Sequence, residues 1–369
     1  MRLYVRLIVL GLLLFLACPA SAGSRAIVDA SGRSVAVPDD VGRVICSGSG
    51  CLRLLTYLEA QSMAVAVDDI ESRRKSFDAR PYALANPQFK SLPIFGEFRG
   101  HDNPELILTL EPQPQVILKT YASSMGYNPV ELQQKTGIPV VVLNYGDLGK
   151  QRPQFYHSLR TMGEVVGRQE RAEEVIAFIE GLIADLEQRT ADIPEQDRPS
   201  VFVGGVAFKG PHGYQSTEPA YPPFAFVNAH NLACGKGMTA KELSHSDISK
   251  EKIVEWDPEY LFLDLATLQL GDEAGGLHEL RHDPAYRTLT AVREGRVYGL
   301  LPYNWYTKNY GSILANAFFI GKQLYPDRFK DVDPAAKADE IYRFLVGKPV
   351  FKAMNEMFYG LSYSPVPVN

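Results

Sequence analysis

The sequence predicts an α/β chain of two related lobes, each a mainly parallel sheet with flanking helices, joined by a long backbone helix. Three observations carry this expectation: short β-rich runs alternate with helical patterns, a motif of the first half recurs in the second, and one long amphipathic run separates the halves. The length of 369 residues agrees with two domains, at roughly 100–200 residues each.

In chain order, Val44-Ile45-Cys46 reads as a strand that turns through Ser47-Gly48-Ser49-Gly50 into a helix over 52–58. Runs 64–67, 116–118 and 140–143 supply further strands of the first half, and runs 201–203, 261–263 and 297–298 those of the second. Between them, Val165, Val175, Ile176, Ile179, Leu182, Ile183 and Leu186 recur at helical spacing among Glu, Gln and Arg. A single helix over 169–190 would be about 33 Å long, enough to bridge two lobes. Glu105-Leu106-Ile107, then Pro112 and Val116-Ile117-Leu118, is answered by Glu251-Lys252-Ile253, then Pro258 and Leu261-Phe262-Leu263, with Glu, Ile and Pro each shifted by 146 positions. Each copy predicts a short helix opened by a carboxylate, favourable at the positive end of the helix dipole, and a proline turn into a buried strand. The expected division is a signal peptide over 1–22, an N-terminal lobe over 23–165, the connecting helix over 166–192 and a C-terminal lobe over 193–369.

Hydrophobic residues at 46% and charged residues at 22% are globular proportions, and a net charge of −5 lacks the basic footprint of a nucleic-acid binder. Arg2 and Arg6, the apolar stretch 7–17 and Ala20-Ser21-Ala22 read as a cleaved export signal, so the mature chain would begin at Gly23, in the periplasm or outside the cell. The apolar stretch is shorter than the roughly 20 residues that span a bilayer. Leu16-Ala17-Cys18 offers the alternative of a lipid anchor on Cys18. Cys46, Cys51 and Cys234 then remain, an odd number and no disulfide framework; Cys46 and Cys51 either pair in an oxidising compartment or serve as small apolar thiols.

Asp29-Ala30-Ser31-Gly32-Arg33 with Val35, Val37-Pro38 and Arg43-Val44-Ile45, the paired segments at Glu105 and Glu251, and the run from Ala291 through Gly295 to Val297-Tyr298 resemble the substrate-binding proteins of ABC importers for iron–siderophore, haem and cobalamin. The resemblance covers nearly the whole mature chain through the order and spacing of these pieces. It implies two Rossmann-like lobes on a backbone helix, a ligand held between them and little hinge closure. It also implies a monomer peripheral to the membrane, with neither catalytic residues nor a resident cofactor. The expected cargo is a bulky metal chelate, a ferric siderophore first, with cobalamin or another corrinoid and haem as alternatives. One surface glutamate per lobe would dock on arginines of the permease dimer, and the matching positions are Glu105 and Glu251, where charge complementarity would set register.

Ligand-binding candidates follow from loops at the strand ends, where open α/β sheets place ligands. Phe98, Arg99 and His101 precede Glu105; Tyr121 and Tyr145 follow strands of the first half; Phe208, Lys209 and Tyr214 follow the 201–203 run. Tyr303, Trp305 and Tyr306 crowd a polar segment after the 297–298 strand and are expected to form an aromatic cleft wall. Arg99 and Lys209 suit carboxylates or hydroxamates of a chelate, Arg through its bidentate fork. His278-Glu279-Leu280-Arg281-His282 fits H-E-x-x-H, so a zinc-dependent hydrolase is the enzyme alternative. Gly275-Gly276 before it and Asp283-Pro284 after it leave only a short helix, and no third ligand pattern follows. The chain is therefore read as a binding protein with no metal site of its own and no enzymatic activity.

Overall fold

The computed structural model describes residues 23–73 and 76–368; the expected export signal and Cys18 lie outside the described residues. The first sheet has six strands, in spatial order His101–Asp102, Ile94–Glu97, Ala64–Asp68, Val44–Ser47, Val116–Thr120 and Val140–Leu143. All run parallel except the edge strand His101–Asp102. The second sheet is wholly parallel, in the order His230–Asn231, Ser200–Gly204, Tyr260–Asp264 and Val297–Leu300. Every strand run read from the sequence falls inside one of these. Helices cover both faces of such sheets, so Val44–Ser47 and Val140–Leu143 are buried along their whole length, as continuous apolar runs demand.

Gln169–Thr190 forms one helix of 22 residues that buries Val175, Ile176, Ile179, Leu182, Ile183 and Leu186. It packs against the helix Arg152–Val166 on one side and Tyr310–Leu324 on the other. The repeat is also visible in the fold. Pro104–Leu108 and Lys250–Trp256 are helices whose N-caps, Asn103 and Ser249, accept bonds from Leu106 and Lys252 backbone N–H groups. In each, the isoleucine (Ile107, Ile253) is fully buried and the glutamate (Glu105, Glu251) is exposed.

Two further arrangements complete the fold. Residues 24–38 form an antiparallel hairpin, Ser24–Val28 against Ser34–Pro38, whose turn is held by the Asp29 carboxylate accepting from Ser31, Arg33 and Val142. The C-terminal segment does not stay on the second lobe: Pro334–Val346 packs on the first-lobe helices Cys51–Tyr57 and Pro81–Ala85, and Lys348 Nζ donates to the Ala85 carbonyl at 2.6 Å. Its apolar face, with Ile341, Tyr342 and Leu345 buried, is covered there, so one apolar cluster runs continuously through both lobes. Cys46 and Cys51 are buried free thiols and Cys234 is exposed. Among the described residues no helix is long and apolar enough to cross a membrane.

Candidate functional site

A cleft of about 870 Å³ opens between the lobes. The first lobe lines it with Ser49, Arg99, Thr120, Tyr121 and the loop 144–152, which follow the C-terminal ends of parallel strands as the topology dictates. Glu218, Pro222, Phe226, Leu243, Thr307 and Lys308 form the opposite side, and Glu187 enters from the backbone helix.

The cleft floor is built around a cross-lobe contact. Arg53, on the first-lobe helix Cys51–Tyr57, is 1% exposed, and its guanidinium donates to the carbonyls of Lys308 at 2.9 Å, Tyr306 at 3.1 Å and Trp305 at 3.2 Å. The same guanidinium bonds the Tyr145 hydroxyl, which donates in turn to the Lys308 carbonyl at 2.5 Å. Tyr306 and Thr307 are left-handed, with φ of 49° and 60°, which takes the segment out of regular pairing; the arginine fork satisfies the Tyr306 carbonyl, and the Thr307 carbonyl accepts from the Trp305 N–H at 3.1 Å. Gly50 sits at the same junction with φ 82°, where a Cβ would fall 2.1 Å from the Tyr145 ring and 2.8 Å from Thr307.

Lys308 thereby holds its ammonium over Glu218, 3.8 Å from one carboxylate oxygen, while the Tyr303 hydroxyl donates to the other. Burial pushes the Glu218 carboxyl up to about 6 against the opposing pull of Lys308 and Tyr303. Deeper still, burial raises Asp264 to about 7, with the Ala266 N–H opposing it. On the first lobe Asp68 rises to about 7 through burial and the nearby Glu71, although the Tyr306 hydroxyl bonds it. At the opposite wall, Asp147 orders the loop by accepting from Gly149 and Gln151 N–H groups at 2.8 Å each. Arg152 is committed to Glu180 and the Leu148 carbonyl. Arg99 and Lys150, by contrast, have no carboxylate partner among the described residues.

Of the residues expected to bind ligand, Arg99, Tyr121 and Tyr145 line the cleft. The others lie elsewhere. Tyr214 and Tyr303 are fully buried, Tyr214 edge-on to Phe202 and Tyr286 and Tyr303 beneath Glu218, so neither ring can meet a ligand. Tyr306 reaches across to Asp68 and accepts from the Arg99 N–H at 3.2 Å, which makes it a strut between lobes. Trp305 packs edge-on to Phe358, just after the last helix Phe351–Met357, and does not line the cleft. Phe208 stacks on His245 at 4.2 Å with the Lys209 ammonium above its ring, and Phe98 lies under the Arg99 guanidinium at 5.0 Å. His101 opens instead into a second groove of about 490 Å³, shared with Glu97, Glu105 and Lys135 on the outer side of the first lobe. The aromatic wall is thus a packed strut, because each hydroxyl of Tyr303 and Tyr306 finds a buried carboxylate.

Sequence reasoning passed over Arg53, Lys150, Glu218 and Lys308 as site residues. Arg53 had a signal, a lone charge inside the apolar run Leu52–Leu58; Lys150 stood in a polar loop after a strand, as Arg99 did. Glu218 had none. The H-E-x-x-H segment is a helix of eight residues, Gly275–His282. Glu279 does not face the histidines' solvent side: its carboxylate accepts from the Tyr214 N–H at 2.9 Å, so it is spent as a structural acceptor and is not poised as a base. Among the described residues no group of three or more His, Cys, Asp or Glu is arranged to hold a metal.

Comparison with known proteins agrees with this architecture. The molybdate-binding protein MolA of Haemophilus influenzae is 23% identical over 371 residues, spanning 94% of each chain. Its structure with molybdate superposes with a TM-score of 0.66 at 17% identity, covering 88% of this chain and 98% of that one. A periplasmic solute binding protein of Veillonella parvula gives 0.68 at 17% identity over 93% and 100%. An ABC-type Fe3+-hydroxamate transport protein of Saccharomonospora viridis gives 0.51 at 19% over 82% and 99%. The family described as periplasmic binding protein matches residues 97–303, more than half of the sequence and both sides of the cleft. The chain therefore belongs to the periplasmic binding protein family, whose members bind solutes and are not enzymes.

Proposed function

We propose that this protein is exported, captures a bulky anionic metal chelate in the cleft between its lobes, a ferric siderophore in first place, and hands it to the permease of an ABC importer. The observation that carries the reading is the cleft itself: about 870 Å³, lined by Tyr121, Tyr145 and Phe226 together with Arg99, Lys150 and Lys308. Specific small-molecule sites span about 300–1,000 Å³, so this one suits a ligand of chelate size. Arg99 and Lys150, with no carboxylate partner among the described residues, supply charge-assisted donors to the carboxylate, catecholate or hydroxamate oxygens that surround such a metal. Cobalamin and haem fit the same volume with less use for the cations. A second reading, a tetrahedral oxyanion, is favoured by the molybdate bound to MolA and by the same cations. A five-atom anion would leave most of the cleft to water, at roughly 30 Å³ per molecule.

Delivery rests on Glu105 and Glu251, exposed at equivalent helix starts outside the cleft. Reversing both, Glu105→Lys with Glu251→Lys, sets like charges against a permease surface that is complementary to the native one. Measured with a ferric hydroxamate, the purified double variant should keep its affinity while cells carrying it lose uptake. Unchanged uptake would remove the docking role. Lost affinity in a folded variant would place the glutamates at the ligand instead.

A further inference from the structure

The histidines of the H-E-x-x-H segment do not serve a hydrolase, yet their geometry has its own consequence. His278 and His282 stand one turn apart on the helix Gly275–His282, with ring centroids 4.3 Å apart and planes inclined by 28°. His278 Nδ1 lies 3.1 Å from the Asp272 carbonyl oxygen, and His282 Nδ1 lies 3.0 Å from the His278 carbonyl oxygen. A carbonyl oxygen can only accept, so each ring carries its proton on Nδ1 and presents a lone pair on Nε2. Neither Nε2 has a partner among the described residues. Imidazoles that ligate metals have this arrangement, with the distal N–H anchored on a carbonyl or carboxylate so that the other nitrogen is aimed and made more basic.

We propose that His278 and His282 form a surface chelate for one borderline divalent cation of the Cu2+, Ni2+ or Zn2+ class, bound through both Nε2 atoms with water completing the coordination sphere. Two such nitrogens at bonds of about 2.0–2.1 Å must come within roughly 3 Å of one another, and stacked rings at i and i+4 reach that by small side-chain rotations. Imidazole donors select this class over Mg2+ and Ca2+, with Cu2+ held most tightly. Glu279 takes no part, since its carboxylate faces Tyr214. The site is separate from the cleft. It lies beside the second-lobe docking helix, because Asp283, next in sequence to His282, pairs with Lys250 at 2.8 Å and Lys250 precedes Glu251.

The test uses the untagged mature chain, its Cys234→Ser variant to remove the exposed thiol, and His278→Gln and His282→Gln in that background. Cu2+ titration followed by electron paramagnetic resonance should give one stoichiometric site with superhyperfine coupling to two nitrogens, and calorimetry with Ni2+ should find the same site. Each glutamine variant should lose about tenfold or more in affinity, as removal of a metal-site partner does, with an unchanged circular dichroism spectrum. Glu279→Gln should bind Cu2+ as the parent does. Equal Cu2+ binding by the His278→Gln, His282→Gln double variant, or binding that disappears with Cys234→Ser alone, would overturn the proposal.

Discussion

Lys308 is held by two opposite means: its carbonyl is pinned by Arg53 and Tyr145 from the first lobe, and its ammonium faces the buried Glu218 of the second. Glu218 is the titrating partner. Its carboxyl is raised from the ordinary 4.5 to about 6, mainly by burial, so the folded protein holds this proton more tightly than the unfolded chain does. Stability from this group is complete below about pH 4.5 and is lost as pH rises through about 6, at a cost on the order of 2 kcal/mol. Asp68 and Asp264, raised to about 7, act in the same direction over a wider window. Glu218→Gln should therefore raise Tm relative to wild type at pH 7.5, and the gain should shrink towards pH 4.5. A Tm difference independent of pH over that range would show that Glu218 titrates normally. At this scale Arg99, Tyr121 and Tyr145 were legible because position after a parallel strand end predicts cleft exposure. Tyr303 and Tyr306 lie off the cleft because their hydroxyls find buried carboxylates, and Tyr214 because its ring packs edge-on to Phe202 and Tyr286, and a sequence shows neither kind of partner.

Among elements, the segment 303–310 does the most to fix the site. It leaves the last strand of the second sheet, enters the first lobe, and returns as the helix Tyr310–Leu324. Left-handed Tyr306 and Thr307 turn three carbonyls inward, and Arg53 caps them all. A lysine has one point-like donor group and cannot reproduce that fork. Arg53→Lys should lower stability by about 1–3 kcal/mol through the Tyr306 carbonyl left without a donor, since the Lys308 carbonyl keeps the Tyr145 hydroxyl and the Trp305 carbonyl keeps the Asn309 amide. It should also weaken ligand binding, since Lys308 and Thr307 would move, although residue 53 does not line the cleft. Urea unfolding and calorimetry check the pair of effects; an unchanged urea midpoint would mean that water satisfies the segment and Arg53 is dispensable. The central strands and the helix Gln169–Thr190 were legible from hydrophobic period, but Val165 falls on the preceding helix, which ends at left-handed Gly167, and the short strands Ile94–Glu97, His101–Asp102 and His230–Asn231 carry too few apolar residues to show a period. The path of Pro334–Val346 back to the first lobe was not, because an amphipathic pattern states that a face is buried without naming what covers it.

For the whole molecule, the two sheets share one continuous apolar cluster through the backbone helix, and Arg53, Tyr145, Tyr306 and Lys348 bond across the lobes. A core common to both lobes resists wide separation of the cleft walls. The 146-residue repeat places Glu105 and Glu251 at equivalent exposed positions on the two lobes, a pairing that is plain in the sequence. Arg99, Lys150 and Lys308, by contrast, come from three separate loops that only the fold brings to one cleft. The central claim is that these cations and the cleft volume together serve an anionic metal chelate. Native mass spectrometry of the protein purified from its own host, with an absorbance spectrum of the same sample, tests it most directly. The account predicts a stoichiometric adduct with the mass and isotope pattern of a metal bound to an organic chelator, lost on Arg99→Ala with Lys150→Ala. An adduct with the mass of a bare oxyanion, or a chelate adduct that persists undiminished in that double variant, would contradict it.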